Sequence, residues 1–176
     1  MTAAPIEPAQ IEPAQFRKVL SAYPTGVCVV AALDGEGRKH AMVVGSFTSI
    51  SLDPPLVGFY PATTSGSWAA MAGIGGFAVS VLGADQLALC QQFASRGMDK
   101  FGDLAHGATA AGHPVIDDAL AWFDCTLEVV HEVGDHFLVV GRVQALDGQA
   151  AREPLLFYGG QYHGLGEAVI ATPQPA

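Results

Sequence analysis

The chain is short of positive charge. Of its 176 residues only 8 are lysine or arginine, against 17 aspartates and glutamates, for a formal net charge of −9. So few cations cannot paint the broad basic face that nucleic-acid binding requires, and a nucleic-acid partner is not expected. Cysteine is scarce too. Cys28, Cys90 and Cys125 make an odd number with no CxxC pair, which argues against a disulfide framework or a zinc knuckle. Each lies among apolar neighbours and is expected to be a small buried hydrophobe, in keeping with a reducing cytoplasm. No apolar run approaches the ~18 residues of a membrane span, and MTAAPIEPAQ lacks the basic and apolar regions of a secretory signal. GxSxG, HExxH and GxGxxG are all missing, so the familiar hydrolase, metalloprotease and dinucleotide signatures are not available.

Half of the residues are apolar, 14% are charged and 21 are glycine. That is the composition of a globular domain rich in tight turns, and the length suits one domain. The pentapeptide IEPAQ occurs in tandem at 6–10 and 11–15. It is too short and polar to build a core, so residues 1–13 are expected to form a loose arm, or one that embraces a partner subunit. The domain is expected over 14–170, with a tail at 171–176.

Phe16, Val19, Leu20 and Tyr23 share one face of a short helix, which Pro24-Thr25-Gly26 ends. GVCVVAAL reads as a buried strand, Asp34-Gly35-Glu36-Gly37 as a hairpin connection, and KHAMVVG as the next strand. A helix through Trp68 and Met71, capped by Ser65 or Ser67, a strand at FAVSVL and a helix over 84–95 follow. WFDCTLEVVHEV and HFLVVGRVQAL are two long strands joined at Gly134, with PLLFY and the residues near Tyr162 as the last strand or two. Six or seven strands with two or three helices, in no regular alternation, predict a mainly β fold: an antiparallel barrel with short helices at its rim.

The stretch SFTSISLDPP, Ser46–Pro55, fits neither face of a half-buried strand. It carries four hydroxyls in six positions, and its prolines cannot donate to a ladder. Hydroxyls and turn amides can solvate a polyol or a phosphate; equally, they can cap their own backbone. Two other features attract no function. Gly73-Ile74-Gly75-Gly76 has the wrong spacing for a phosphate loop and precedes a strand. His131 and His136 flank the long hairpin's turn, but with no third ligand no metal site is expected.

FRKVLSAYPTGVCVV, HAMVVGSFTSISLDPPLVGFYP, FAVSVL, the Phe93 and Asp99-Lys100-Phe101 region, Gly134-Asp135-His136 and PLLFYGGQYH run in order from about 16 to 165. This set resembles the short-chain flavin reductases of the FMN-binding split-barrel type, the reducing partners of two-component monooxygenases. The resemblance implies a homodimer that reduces FMN, with FAD possible, using NADH or NADPH, and hands reduced flavin to a transient monooxygenase partner. It implies that Val43, Val44 and Gly45, with Ser46, pass the flavin ring by backbone, and that Ser49 and Ser51 serve its ribityl or phosphate end. Ser65 and Ser67 are further phosphate candidates, Lys100 and Arg96 balance the phosphate charge, and Phe93 contacts the flavin. His136 is implied as the catalytic residue, at the nicotinamide with Tyr162. Against these stand plainer readings: Lys100 a solvated lysine, Phe93 core, His136 a turn histidine in water, Tyr162 a core or interface aromatic. Many family members carry Thr where this chain has Val43, and Ser or Asn where it has Gly45. A non-catalytic flavin-binding module and a flavin-retaining oxidase of the same barrel are the alternatives.

Overall fold

The structure is a computed structural model and describes residues 10–95, 100–102, 104–149 and 152–166. The expected arm lies outside these residues over 1–9, as does the tail at 171–176.

The expected first helix forms as α1, Pro13–Leu20, with a proline in its first turn, where the missing N–H is not needed. Its apolar face is left uncovered by the described residues: Phe16, Val19, Leu20 and Tyr23 are all exposed. β1, Thr25–Gly26, leads into β2, Cys28–Leu33. β2 is buried on both faces because both are covered. Cys28, Val30 and Ala32 face one hydrophobic cluster, and Val29 and Ala31 face another. The hairpin at Asp34–Gly37 turns the chain into β3, Lys39–Val44, with Cys28 paired to Val44 and Leu33 to Lys39.

Three residues later β4 begins, Thr48–Leu52, and pairs with β5, Pro55–Phe59, across a turn at Asp53-Pro54. α2, Gly66–Met71, follows and sends Trp68 and Met71 into the core; Ser65 caps it, its hydroxyl accepting from the Trp68 N–H at 3.2 Å. β6, Gly76–Val81, comes next, then a single 3-10 turn, Ala84–Gln86, and α3, Leu87–Ala94. The long hairpin is β9, Ala121–Val133, and β10, His136–Gly148, and Gly134 supplies the expected positive φ, +63°. Between α3 and β9 lies a hairpin absent from the sequence reading, β7, His106–Ala108, and β8, Pro114–Ile116. Three-residue strands broken by glycine and proline leave no periodic signal. β11, Leu156–Tyr158, and β12, Gln161–His163, close the described chain.

The main sheet is antiparallel and runs β3-β2-β6-β9-β10-β5-β4. Its edges are therefore β3 and β4, which are consecutive in the chain. Four Cα–Cα steps from Val44 to Thr48 reach at most ~14 Å. The sheet must curl until its two edges nearly meet, which makes an open, split barrel. Phe47 in the crossing packs on Phe123, with ring centres 5.2 Å apart. Inside the barrel Phe59, Phe77 and Trp68 pack edge to face. β1, β11 and β12 form a separate small sheet, and β7 and β8 a two-stranded one.

SFTSISLDPP is thus an edge strand, with a bulge between Ser49 and Ser51. It buries neither face: Ile50 and Leu52 are exposed along with Thr48 and Ser49, and Ser51 is half-buried. The three cysteines are free and buried, as expected, and burial pushes the Cys28 and Cys125 thiols up to about 12.

Gly141 on β10 tests the packing of this interior. A Cβ there would stand 2.5 Å from Phe77 Cζ and 3.0 Å from Cys125 Cβ. Gly141→Ala should lower stability by about 1–3 kcal/mol, read as a lower urea midpoint at unchanged m-value. A midpoint equal to that of the parent protein would show that the interior has slack.

Candidate functional site

Two cavities lie along β3, the free edge of the sheet. The first, of about 540 Å³, sits where the chain crosses between the edges. Gly45, Ser46, Phe47 and Thr48 supply one wall, Tyr23 to Gly26 another, and Tyr60 a third. Its geometry follows from strand pairing. β2 and β3 are paired back to Cys28 and Val44, so the residues just before Cys28 come beside those just after Val44. Ser46 Oγ accepts from the Tyr60 N–H at 3.0 Å, which ties the crossing to the end of β5 and leaves the Ser46 proton free to donate. Gly45 is exposed, and the ideal position of a Cβ on it lies 2.8 Å from Thr25 Oγ1. The Thr25 hydroxyl thus occupies the place that a side chain at 45 would take.

The second cavity, of about 240 Å³, lies further back along β3 and is lined by Lys39, His40, Ala41, Gly66, Ser67, Ala70 and Lys100. Lys100 Nζ donates to the Ala41 carbonyl at 3.0 Å, and burial lowers its pKa from the ordinary lysine value. Its remaining protons are available beside the Ser67 hydroxyl. His40 Nε2 meets Asp34 at 2.8 Å, and the His40 and Arg38 bonds hold that carboxyl well below the usual carboxylate range. From Ala41 to Gly45 is about 13 Å of strand, a span suited to a ring with an extended anionic tail.

The expected residues therefore divide. Gly45 and Ser46 line the first cavity and Ser67 and Lys100 the second. Val44 points into the barrel core and Val43 outward, against the cluster around α3, so the Val43 and Val44 side chains pack within the protein. Ser49 and Ser51 stand on β4 and line neither cavity. Ser65 is occupied as the α2 cap. Phe93 is fully buried, with its ring 5.0 Å from that of Phe101, and it lines neither of these two cavities. Arg96 lies outside the described residues.

His136 opens β10 in an isolated bridge with Ala62. By the register that pairs Val139 with Phe59, it stands two residues beyond Tyr60, roughly 7 Å along the rim. It is half exposed, and its Nδ1 lies 2.7 Å from the Asp135 carboxylate, whose pKa that bond lowers. The pairing puts a proton on Nδ1 and turns Nε2 outward. Tyr162, on β12, faces Phe157, which pairs with Thr25 of the first cavity. Its hydroxyl turns away from that cavity to the Cys90 thiol at 3.5 Å, a contact that, with burial, pushes the phenol up to about 12.

The sequence reading assigned no role to Thr25, Thr48, Tyr60, Lys39 or His40. For Thr25 a signal was present: carrying the Asp34–Gly37 hairpin register back past Cys28 puts the PTG segment beside Gly45–Phe47.

The model of the family described as "Flavin reductase like domain" matches residues 20–166. A flavin reductase of Pseudomonas putida is 47% identical over 92% of this chain and 95% of its own. The reductase subunit HsaB of a flavin-dependent monooxygenase from Rhodococcus jostii RHA1 is 43% identical over 94% of this chain and 84% of its own. Among solved structures, the NADH:FAD oxidoreductase SgcE6 of Streptomyces globisporus C-1027, in complex with NAD and FAD fragments, superimposes with a TM-score of 0.84. It is 32% identical, over 93% of this chain and all of that one.

The Gly45–Thr25 contact makes a double-variant prediction. Gly45→Ser should cost about 1 kcal/mol or more by overpacking. Thr25→Ala in the same chain should restore most of it, so that the two effects are strongly non-additive in a denaturation cycle. Simple additivity would mean that the two positions do not compete for space.

Proposed function

The chain belongs to the flavin reductase-like family, and from that premise we propose that it reduces free flavin with NADH and releases the product to a partner monooxygenase. The observation that carries this reading is the pair of cavities joined along the β3 edge. The ring belongs at the crossing, against the Gly45 and Ser46 backbone, and the phosphate belongs beside Lys100 and Ser67. In a chain with 8 basic residues, Lys100 is the described cation that is part-buried against β3 and turned to such a cavity. FMN suits this length, and FAD can enter because the second cavity is open.

The chemistry is a hydride, two electrons and one proton, passing from nicotinamide C4 to flavin N5, with solvent supplying the second proton. It asks the protein for orientation more than for acid–base groups, so the missing catalytic motifs are no objection. The crossing holds one ring plane fixed, because Phe47 is anchored in the barrel and Ser46 is tied to Tyr60. His136 stands at the rim with Nε2 free to accept from the nicotinamide carboxamide, and Asp135 keeps the ring in that orientation. Hydroxyls and one lysine make modest contacts, which suits a flavin that must leave.

The test mixes pure protein with FMN or FAD and NADH or NADPH, and follows absorbance at 340 nm. Flavin-dependent oxidation is expected; its absence in all four mixtures would overturn the reading. His136→Ala should raise the nicotinamide KM or lower kcat by about tenfold, the scale of one lost hydrogen bond in a binding site, with flavin affinity nearly unchanged. An unaltered kcat/KM for NADH would remove His136 from the site.

A homodimer completes this reading. Phe16, Val19, Leu20 and Tyr23 are exposed on and just after α1, and Phe157 and Tyr158 are exposed on β11. The backbone joins these two elements, with the Gly159 N–H donating to the Ser21 carbonyl at 2.9 Å. That is a contiguous apolar surface of the kind that marks an interface, and Tyr23 carries it to the edge of the first cavity. Light scattering should give twice the chain mass, and Leu20→Glu should shift the protein towards monomer. A parent protein that is monomeric at micromolar concentration would sink the dimer.

A further inference from the structure

We infer that the chain has a second small-molecule site, on the outer face of its sheet, for a ligand presenting an amide-type edge: an N–H donor beside a carbonyl-like acceptor.

The glycine-rich segment that no function absorbed, Gly73–Gly76, forms one wall of an open cavity of about 580 Å³. That lies within the roughly 300–1,000 Å³ of small-molecule sites. Its floor holds His113 and Asp124, each 6% exposed and two of the three buried polar residues among those described. Asp124 sits on β9 opposite Ala78 of β6, whose next partner is Ala31 of β2. These two alanines leave room above the sheet, and the β7–β8 hairpin brings His113 over it.

His113 is locked. Its Nδ1 accepts from the Leu33 N–H at 3.3 Å, and its backbone N–H donates to Thr109 Oγ1 at 3.2 Å. The ring proton therefore belongs on Nε2. That atom lies 2.8 Å from where a Cβ on Gly76 would stand, and the Cys125 carbonyl oxygen 2.9 Å from it, so a side chain at 76 would press on both. Burial lowers the His113 pKa, with the Asp124 charge opposing, and the ring is a neutral donor. Among the described residues neither Nε2 nor the Asp124 carboxylate has a hydrogen-bond partner, and neither is sealed from open space.

His113 and Asp124 are largely buried as residues, and the unpaired atoms of both, the Nε2 donor and the carboxylate, open to the one cavity they line. A donor and an acceptor set side by side at the floor of one cavity suit a ligand that donates to one and accepts from the other in place of water. Carboxamides, ureas and nucleobase edges do this. A carboxylate does not, since Asp124 would repel it, and an ester lacks the donor. Asp34 on the wall adds negative charge, while its own oxygens are taken by Arg38, Glu36 and His40. The cavity is set apart from the crossing. It lies at the Leu33 end of β2, whereas the crossing lies beyond the Cys28 end, some 20 Å of strand away.

The probe is benzamide, with benzoate and methyl benzoate as matched controls, titrated into the intact protein while the His113 imidazole resonances are followed by NMR. Benzamide should shift them saturably, and the two controls should not. Asp124→Ala should weaken half-saturation about tenfold or more while leaving NADH oxidation by flavin unchanged. The comparison of the three probes on the parent protein stands whether or not that variant folds. No shift with benzamide, or equal shifts with all three, would overturn the site. So would a benzamide-soaked crystal with only water between Asp124 and His113.

Discussion

The three residues that join β3 to β4 govern the rest of the molecule. They connect the two outermost strands of a seven-stranded sheet, and a chain that short cannot go round. The sheet has to bend until its margins lie side by side, and the bend creates the hollow that α2 fills with Trp68 and Met71. The same three residues line the first cavity. Curvature and site are one consequence of one short connection. It is stiffened where stiffness matters, by Phe47 inserted in the barrel and by Ser46 bonded to Tyr60.

This explains the hydroxyls of SFTSISLDPP better than a single binding role does. A strand at the margin of a sheet exposes unpaired backbone and risks pairing with other chains. Alternating hydroxyls, a bulge and a terminal Pro-Pro keep such a margin soluble and irregular. Only the first of them, at the crossing, both line a cavity and bond the framework. Ser49 and Ser51 lie further along the margin and line neither cavity.

Much of this was legible in the residues. β2 is apolar on every position and is buried on every face but its end. Gly134 sits where the long hairpin needs a positive φ. Ser65 sits where α2 needs a cap. What local pattern could not carry was pairing at a distance. Nothing in the spacing of Phe93 distinguishes a ring lining a cavity from one locked against Phe101. Thr25 looked like a helix terminator because its partner, Gly45, lies 20 positions away and meets it only through the β2–β3 register. The exposed face of α1 reads as an ordinary amphipathic helix, since periodicity reports that a face is apolar and not what covers it. The β7–β8 hairpin was too short for any period, and with it went the placement of His113.

The two cavities share a device. Gly45 and Gly76 both have ordinary backbone angles, so neither is a glycine for conformational freedom. At each, other segments stand where a Cβ would be: the Thr25 hydroxyl at Gly45, and the His113 imidazole with the Cys125 carbonyl at Gly76. In each case a polar group is brought flush against a strand of the main sheet and presented to open space. Without a Cβ at either position, a hydroxyl sits at the wall of one hollow and a ring nitrogen at the floor of the other. The outer hollow and the crossing thus share one construction, a polar atom set flush against bare backbone and open to a cavity.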